Sequence, residues 1–580
     1  MGKNPYSIFD FGSILIGERN FKFLMQRSVL LLTFICFSNC LPNLNNKSTM
    51  YGDLFFILGS LSLQLSYSND IITMNKDQTV RVVPTVLNRS FFCRTESAFP
   101  PGLSFDGISC SIFGVPTKKQ NSSPVTITAQ NFTTAVSSQA NLVVFSTAIG
   151  DKEWTRQLGV AGSFQTFSQG IHADRFGNVY VGGHTTGALD GQGKANDSGN
   201  NDAVLVKFNA EGTKQWTRQF GSSGNNFTLA LGVVTASLGN TYLVGRTTGA
   251  LESETKISNA MTNTDGFLTK YDSLGNRLWT RLFGVSGAFN TEARGVATDS
   301  LENAYVVGYT NGSLNGQTKT SSAASFDGFF VKYDSNGNLV YTKQTGVSGS
   351  NSTFAIGIAV DLLGNVYITG NTAGSLDGQT KTSDIGKTDA FLAKYDNNGN
   401  RLWTRQFGSL GNNSTDVRMV RTDSDNNIYL VGYTEGTLDS QTKISGAGYY
   451  DGFLMKFDSD GNRKWTRQVG GNGSTHTYGR GVSIDSAGNV YASGETYGQI
   501  GDDAKVSSQN DAYLIKYDKN GSRLWVRQLG TAGAFFTLSI GVIVDPSGNV
   551  YSSGSATGSL DGQTKVSSST FNELFVTKYQ

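Results

Sequence analysis

One hexapeptide pattern governs everything this chain can fold into. Trp-Thr-Arg-Gln-x-Gly and its variants begin at Trp154, Trp216, Trp279, Tyr341, Trp403, Trp465 and Trp525, at steps of 62, 63, 62, 62, 62 and 60 residues. A fixed period of this length marks a repeat architecture, in which one supersecondary unit is copied and stacked. Each copy holds four strand-like runs. In one copy run A is Phe267–Tyr271, run B Arg277–Phe283, run C Arg294–Thr298 and run D Ala304–Tyr309. Runs A and B are joined by Asp272-Ser-Leu-Gly275-Asn276, and runs C and D by Asp299-Ser-Leu-Glu-Asn303. Asp accepts hydrogen bonds from amides two residues on, and Gly takes the positive φ of a tight hairpin. Two hairpins per copy give a four-stranded antiparallel unit, the blade of a propeller.

The ends of the repeat region fix the count. Run B at Trp154 has no run A before it, and the sequence finishes on an unmatched run A, Phe575-Val-Thr-Lys-Tyr579. Seven complete blades result only if the last strand pairs with the first, which closes a ring and removes its edges. The sequence leaves open whether a blade begins before run A or before run C.

Composition agrees with an all-β chain. Glycine numbers 70 and proline 8. Gly, Asn, Asp, Ser and Thr cluster between short runs of β-branched and aromatic residues. No long segment has apolar residues at helical spacing. Lys plus Arg is 47 and Asp plus Glu is 45, which gives no basic face for nucleic acid. At 580 residues, two or more domains are expected.

The N-terminal segment has the pattern of an export signal. Ser28–Phe37 (SVLLLTFICF) is an apolar run of ten behind Arg27, Lys22 and Arg19. It is shorter than the ~20 residues a spanning helix needs. Phe37-Ser38-Asn39-Cys40 follows and resembles the lipobox of bacterial lipoproteins. That resemblance implies cleavage before Cys40, lipidation of Cys40, and attachment to a membrane without a spanning helix. Phe37 and Asn39 depart from the usual lipobox residues, so an ordinary signal peptide stays open. Met25 is an alternative start. Leu41, where retained lipoproteins carry Asp, leans towards the outer membrane and the cell surface. Leu54–Leu65 is a second apolar run, expected to pack as a strand or helix on the next domain.

Alternating runs recur between residues 68 and 147. The order PPGLSFD, ISCSIFGVPT, VTITAQN, ANLVVF resembles the immunoglobulin-like module of bacterial surface proteins, which implies a small β-sandwich. Cys93 and Cys110 fall on strands here. In an exported protein a disulfide is the natural pairing, worth on the order of 3 kcal/mol for a loop of this length. Two buried thiols are the alternative.

The repeats read D-A-F-L-x-K-Y-D-x-x-G-N-x-x-W-T-R-Q-x-G and then G-V-x-x-D-x-x-G-N-x-Y-x-x-G-x-T. They resemble the bacterial SBBP repeat, a seven-bladed β-propeller family. Lipobox, immunoglobulin-like module and propeller together are similar to surface lipoproteins of spirochaetes such as Leptospira. The expected organisation is a signal at 1–39, a lipidated tether at 40–67, a sandwich at 68–147 and the propeller at 150–580. The repeat family brings no general activity with it.

Chemistry-bearing residues are few. The recurrent Arg156, Arg218, Arg281, Arg405, Arg467 and Arg527 are expected to pair with turn Asp residues, since repetition in blade after blade is what structure demands. Acidic turns such as Asp458-Ser-Asp460-Gly461-Asn462 echo half of a calcium loop and lack its later Glu. No cofactor is therefore expected, with calcium as the alternative. They also loosely resemble sialidase Asp-boxes, without an assignable arginine triad. His172, His184 and His476 have no metal-ligand spacing. The segments between runs D and A (Leu189–Asn201, Leu251–Thr264, Leu314–Phe326, Leu376–Thr388, Leu438–Tyr450 and Gln499–Asn510) vary most between copies. Loops on a rigid scaffold are the usual seat of binding. The expected function is a monomeric, non-catalytic, surface-displayed scaffold that binds a protein or glycan through these loops. A glycan-acting hydrolase or lyase, with asymmetric acids in the channel, and a purely structural envelope protein are the alternatives.

Overall fold

The computed structural model describes seven short strands between residues 71 and 147, together with residues 150–579 apart from 197–198, 237–238 and 502. The export signal, Cys40, the tether and Leu54–Leu65 lie outside the described residues. The chain divides into two compact units between Ala148 and Ile149.

In the first unit, Ile71–Asn75, Ser137–Thr147, Gln120–Asn131 and Phe91–Thr95 form one sheet in that order. The first pair in this sheet is parallel. Val80–Val82, Ser111–Gly114 and Leu103–Asp106 form a second sheet. Cys93 of the first sheet is disulfide-bonded to Cys110, which directly precedes a strand of the second, with Cα atoms 5.3 Å apart.

The second unit is a ring of seven four-stranded antiparallel sheets. Blade 1 runs Thr166–Ala173, Val179–Thr185, Asp202–Phe208 and Lys214–Phe220, from the channel outwards. Blades 2 to 6 repeat this order from Thr228, Thr291, Thr353, Thr415 and Thr477. Each blade thus begins at run C, and run D pairs with the run A that follows the long connection. Blade 7 comprises Thr537–Val544, Val550–Ala556 and Glu573–Tyr579, and takes its outermost strand, Lys152–Leu158, from the start of the repeat region. The seven innermost strands touch their neighbours in an unbroken circle, and Thr537–Val544 lies against Thr166–Ala173. Antiparallel topology sends both hairpin turns of every blade to one face of the ring. The long second-to-third connections and the blade-to-blade connections go to the other.

The signature residues act between blades. Trp154, Trp216, Trp279, Tyr341, Trp403, Trp465 and Trp525 sit on outermost strands. Each ring lies against the glycine just before the outermost strand of the next blade, where an added Cβ would come 2.9 to 3.1 Å from it: Trp216 against Gly275, Trp465 against Gly521, Trp525 against Gly150 and Trp154 against Gly212. These glycines have positive φ, so the turn needs them as much as the ring does. The Arg two residues after each Trp covers that ring at 5.1 to 5.5 Å. Its Nε donates to the same glycine's carbonyl at 2.6 to 3.2 Å.

The expected arginine–aspartate pairing is thereby corrected. The turn Asp engages both oxygens within its own turn: Asp272 Oδ1 accepts from the amides of Leu274 and Asn276, and Oδ2 accepts from Asn276 Nδ2. Asp458 is filled in the same way by Asp460, Asn462 and the Lys464 ammonium. Such carboxylates hold their own turns.

Candidate functional site

The seven copies serve as one another's controls: a position that holds the ring together recurs, and a position free of that duty can diverge. The long connections, although variable in sequence, are buckled down. Buried Asp202, Asp327 and Asp389 accept from loop amides of Ala195, Thr320 and Thr382. The outermost-strand Gln219, Gln344 and Gln406 accept from Leu189, Leu314 and Leu376 at 2.9 to 3.0 Å. These loops are less free than their sequence implies.

Divergence concentrates instead on the strands around the channel. Every innermost strand carries a β-bulge, opposite a recurring glycine of the second strand: Gly183, Gly245, Gly308, Gly370, Gly432, Gly494 and Gly554. A Cβ there would overlap the carbonyl oxygen of Phe167, Leu229, Glu292, Phe354, Asp416, Tyr478 or Leu538 respectively. The glycine lets the chain bulge, and bulges re-aim side chains beside functional sites. The residues so displayed do not repeat. The bulged positions are Gln169, Leu231, Arg294, Ile356, Arg418, Arg480 and Ile540, and the penultimate second-strand positions are His184, Arg246, Tyr309, Asn371, Tyr433, Glu495 and Ser555.

These two sets, and the residues whose carbonyls face the glycines, lie towards the face of the long connections, and their polarity is lopsided. Blades 2 to 6 carry the charge, and blades 3 to 6 most of the aromatic surface. Glu292 accepts from the Tyr309 hydroxyl at 2.7 Å, forms an ion pair with Arg246 of the neighbouring blade, and stands 4.0 Å from Arg294. Arg480 pairs with Glu495 at 2.7 Å. Glu435 pairs with Lys387 at 2.8 Å and accepts from the Ser414 amide at 2.7 Å. Arg418 donates to the Tyr433 hydroxyl. Arg294, Arg418 and Arg480 lie over the rings of Tyr309, Tyr433 and Tyr478 at 5.7, 5.1 and 5.4 Å, a cation–π arrangement. Tyr309 meets Phe354 edge to face at 4.9 Å, and Tyr433 meets Tyr478 in the same way at 4.9 Å. Across blades 3 to 5, Arg294, Tyr309, Phe354 and Arg418, with Asn371 and Asp416, line an open pocket of about 370 Å³.

Electrostatics follow from burial. Desolvation is the largest influence on Asp416. It raises the carboxyl above its ordinary range, aided by Glu435 and opposed by Arg418 and the Thr388 hydroxyl. Burial pushes on Glu435 in the same direction, but hydrogen bonds from Lys387 and the Ser414 amide outweigh it and leave that carboxyl below its ordinary value. The Nε atoms of Arg246, Arg418 and Arg480 and Oε2 of Glu495 are buried without a hydrogen-bond partner among the described residues, a costly arrangement for charged groups.

The histidines separate. His172 and His184 stand at opposite ends of the inner hairpin of blade 1, opposite Tyr180 and Phe167. Burial, then the Arg421 guanidinium, lowers His172 to about 3, and burial lowers His184 to about 4. His476 belongs to the mouth, stacked on Tyr478 at 5.6 Å and accepting from the Tyr450 amide. Among the described residues no three His, Cys, Asp or Glu side chains gather as a metal requires, and no helix is long and apolar enough to cross a membrane. Reading one repeat at a time misses Arg294, Asp416, Arg418 and Arg480. Aligning the seven copies and asking where they disagree within a strand finds them.

The Caulobacter vibrioides regulatory protein FlaEY is 25% identical over 375 residues, covering 59% of this chain and 37% of that protein. An uncharacterised WD repeat-containing protein of Acanthamoeba polyphaga mimivirus is 24% identical over 393 residues, covering 60% of this chain and 25% of that protein. The chain thus spans well under half the length of either relative. A crystal structure of a Bacteroides thetaiotaomicron protein of unknown function aligns over 89% of this chain at 10% identity, with a TM-score of 0.30. The beta-propeller repeat family, SBBP, matches residues 153–189, 278–315, 340–377, 402–438 and 464–502, so the chain carries SBBP beta-propeller repeats, here closed into a ring of seven blades.

Proposed function

We propose that this protein is a non-catalytic binding scaffold whose ligand enters the channel mouth on the face of the long connections, over blades 3 to 6. One observation carries the reading. The contacts between blades recur around the ring, whereas the side chains at the bulges and beside them change from blade to blade and collect charge and aromatic surface on one side. A ring needs no such asymmetry for stability, and a ligand does.

The same reading places the protein at the cell surface as an exported lipoprotein anchored through Cys40, with residues 71–147 as an immunoglobulin-like sandwich. The lipobox resemblance supports the anchor. Two sheets joined by Cys93–Cys110 support the sandwich. Capture of macromolecules from envelope and extracellular fractions by the full chain, beside a Phe354→Ala variant, tests the proposal. A saturable partner lost with Phe354→Ala is expected. Absence of any partner, or capture indifferent to the substitution, contradicts it.

A second reading, a glycan-cleaving enzyme, has one specific support: Asp416 is a half-buried carboxyl with a raised pKa, as a general acid requires. Its neighbour Glu435 is tied to Lys387 rather than free as a second catalytic group. Release of reducing ends from labelled oligosaccharides, abolished by Asp416→Asn, would replace the binding reading with this one.

A further inference from the structure

The pocket across blades 3 to 5 has a definite chemistry. Arg294 and Arg418 are its two cations, and neither has a carboxylate within hydrogen-bond reach. Arg294 has Glu292 as its ionic partner at 4.0 Å, beyond hydrogen-bond reach, and that carboxylate is already taken by Arg246 and the Tyr309 hydroxyl. Arg418 spends one Nη on a neutral phenol, Tyr433, and its Nε has no partner among the described residues. Asp416 is the pocket's one acid, a single carboxyl against two guanidiniums. The pocket therefore presents surplus positive charge from two planar guanidiniums, the group best shaped to hold a carboxylate.

The remaining lining reads something besides charge. Asn371 commits its Oδ1 to the Val417 amide at 2.8 Å, which leaves its Nδ2 hydrogens without an acceptor among the described residues. Asp416 takes one hydrogen bond, from Thr388. A carboxyl and an amide with spare capacity pair with adjacent hydroxyls, and an aromatic wall of Tyr309 and Phe354 offers apolar contact to a ring's C–H face. Hydroxyls, an apolar ring face and a carboxylate in one small molecule describe an acidic sugar.

We infer that this pocket binds a saccharide bearing a carboxylate, with Arg294 and Arg418 on the carboxylate and Phe354 and Tyr309 against the pyranose. The inference rests on the ligand-binding reading of the mouth and gives it a substrate class. A peptide carboxylate is the competing macromolecular source, and the lining disfavours it, since a peptide would leave the Asn371 and Asp416 pair without matching hydroxyls.

Calorimetric titration of the purified full chain tests this. The probes are digalacturonate, a hyaluronan tetrasaccharide and N-acetylneuraminic acid, with cellobiose and galactobiose as neutral counterparts and tetraglutamate as the peptide. At least one acidic sugar is expected to bind at least tenfold more tightly than the neutral sugars. Arg418→Gln should weaken it about tenfold or more, as loss of a charge-assisted hydrogen bond does. Arg294→Gln should do the same, and it keeps the test decisive if Arg418→Gln fails to fold. Equal affinity for neutral sugars, preference for tetraglutamate, or no acidic sugar binding at millimolar concentration overturns the inference. If any probe or captured partner is still lost with Phe354→Ala, the mouth remains a ligand site and only its assigned chemistry falls. If Phe354→Ala leaves all binding unchanged, both fall.

Discussion

Lys578 stands opposite Trp154 in the antiparallel pairing that joins Glu573–Tyr579 to Lys152–Leu158. That single register closes the ring. It also completes a circle of clasps, for Trp154 and Arg156, borne by the strand that Tyr579 helps to hold, grip Gly212 of blade 1 as Trp525 and Arg527 of blade 6 grip Gly150.

The closure is open to a chemical test. Thr155 and Thr577 are register partners with Oγ atoms 3.2 Å apart, near enough for a disulfide between substituted cysteines. Thr155→Cys with Thr577→Cys is expected to give an intramolecular cross-link on mild oxidation, mapped by peptide mass spectrometry, and to raise the unfolding midpoint. Only intermolecular cross-links would argue for an open array.

Arg218→Ala removes donors to Gly275, Leu274 and Thr217 carbonyls and uncovers the Trp216 ring. A loss of about 1–3 kcal/mol in chemical denaturation is expected. Asp272→Ala loosens the turn that presents the Leu274 and Gly275 carbonyls, so a double-mutant cycle between the two positions is expected to show coupling of about 0.5 kcal/mol or more, carried by the turn.

Gly308→Ala places a methyl group on the Glu292 carbonyl oxygen, so the bulge that displays Arg294 must shift. The expected cost is about 3 kcal/mol, by analogy with overpacked cores, read as a lowered midpoint with an unchanged denaturant slope. An alanine tolerated without loss would show that the bulge is not fixed by this glycine.

Acid should destabilise the propeller through its inner histidines. His184 titrates at about 4 in the folded ring and near 6.5 once unfolded. Below pH 6.5 the unfolded chain binds a proton that the folded chain refuses. Stability then falls by up to ~1.4 kcal/mol per pH unit for this residue, levelling off below pH 4. His172, lowered to about 3, extends the same slope further. Urea unfolding at pH 7.0, 5.5 and 4.5 should give a shallower slope for His184→Gln than for the native chain.

The sequence carried the ring further than it carried the site. Hairpins such as Asp272–Asn276 are local, and their Asp and Gly residues announce them; the unmatched Phe575–Tyr579 and Trp154 strands give closure by counting. Blade phasing was not legible. The pairing of Asp202–Phe208 with Val179–Thr185 spans a long connection, and local turn chemistry says nothing about it. The arginine partners were not legible, because the acceptors are backbone carbonyls of the neighbouring blade, such as Gly275 and Leu274 for Arg218, and no side-chain charge marks them. Long connections such as Leu314–Phe326 looked free because they vary, yet buried Asp327 and Gln344 pin that one from beneath. Arg294 and Arg418 were hidden because a bulge shifts them out of the strict two-residue alternation that a strand leads one to expect.

Hydrogen–deuterium exchange of the full chain, with and without an acidic oligosaccharide selected by titration, tests most directly whether a ring of like blades bears one asymmetric site. Protection is predicted at the bulged segments around Glu292–Arg294, Phe354–Ile356, Asp416–Arg418 and Tyr478–Arg480, with the equivalent segments of blades 7 and 1 unchanged. Protection spread evenly over seven blades, or confined to the hairpin turns of the opposite face, would contradict it.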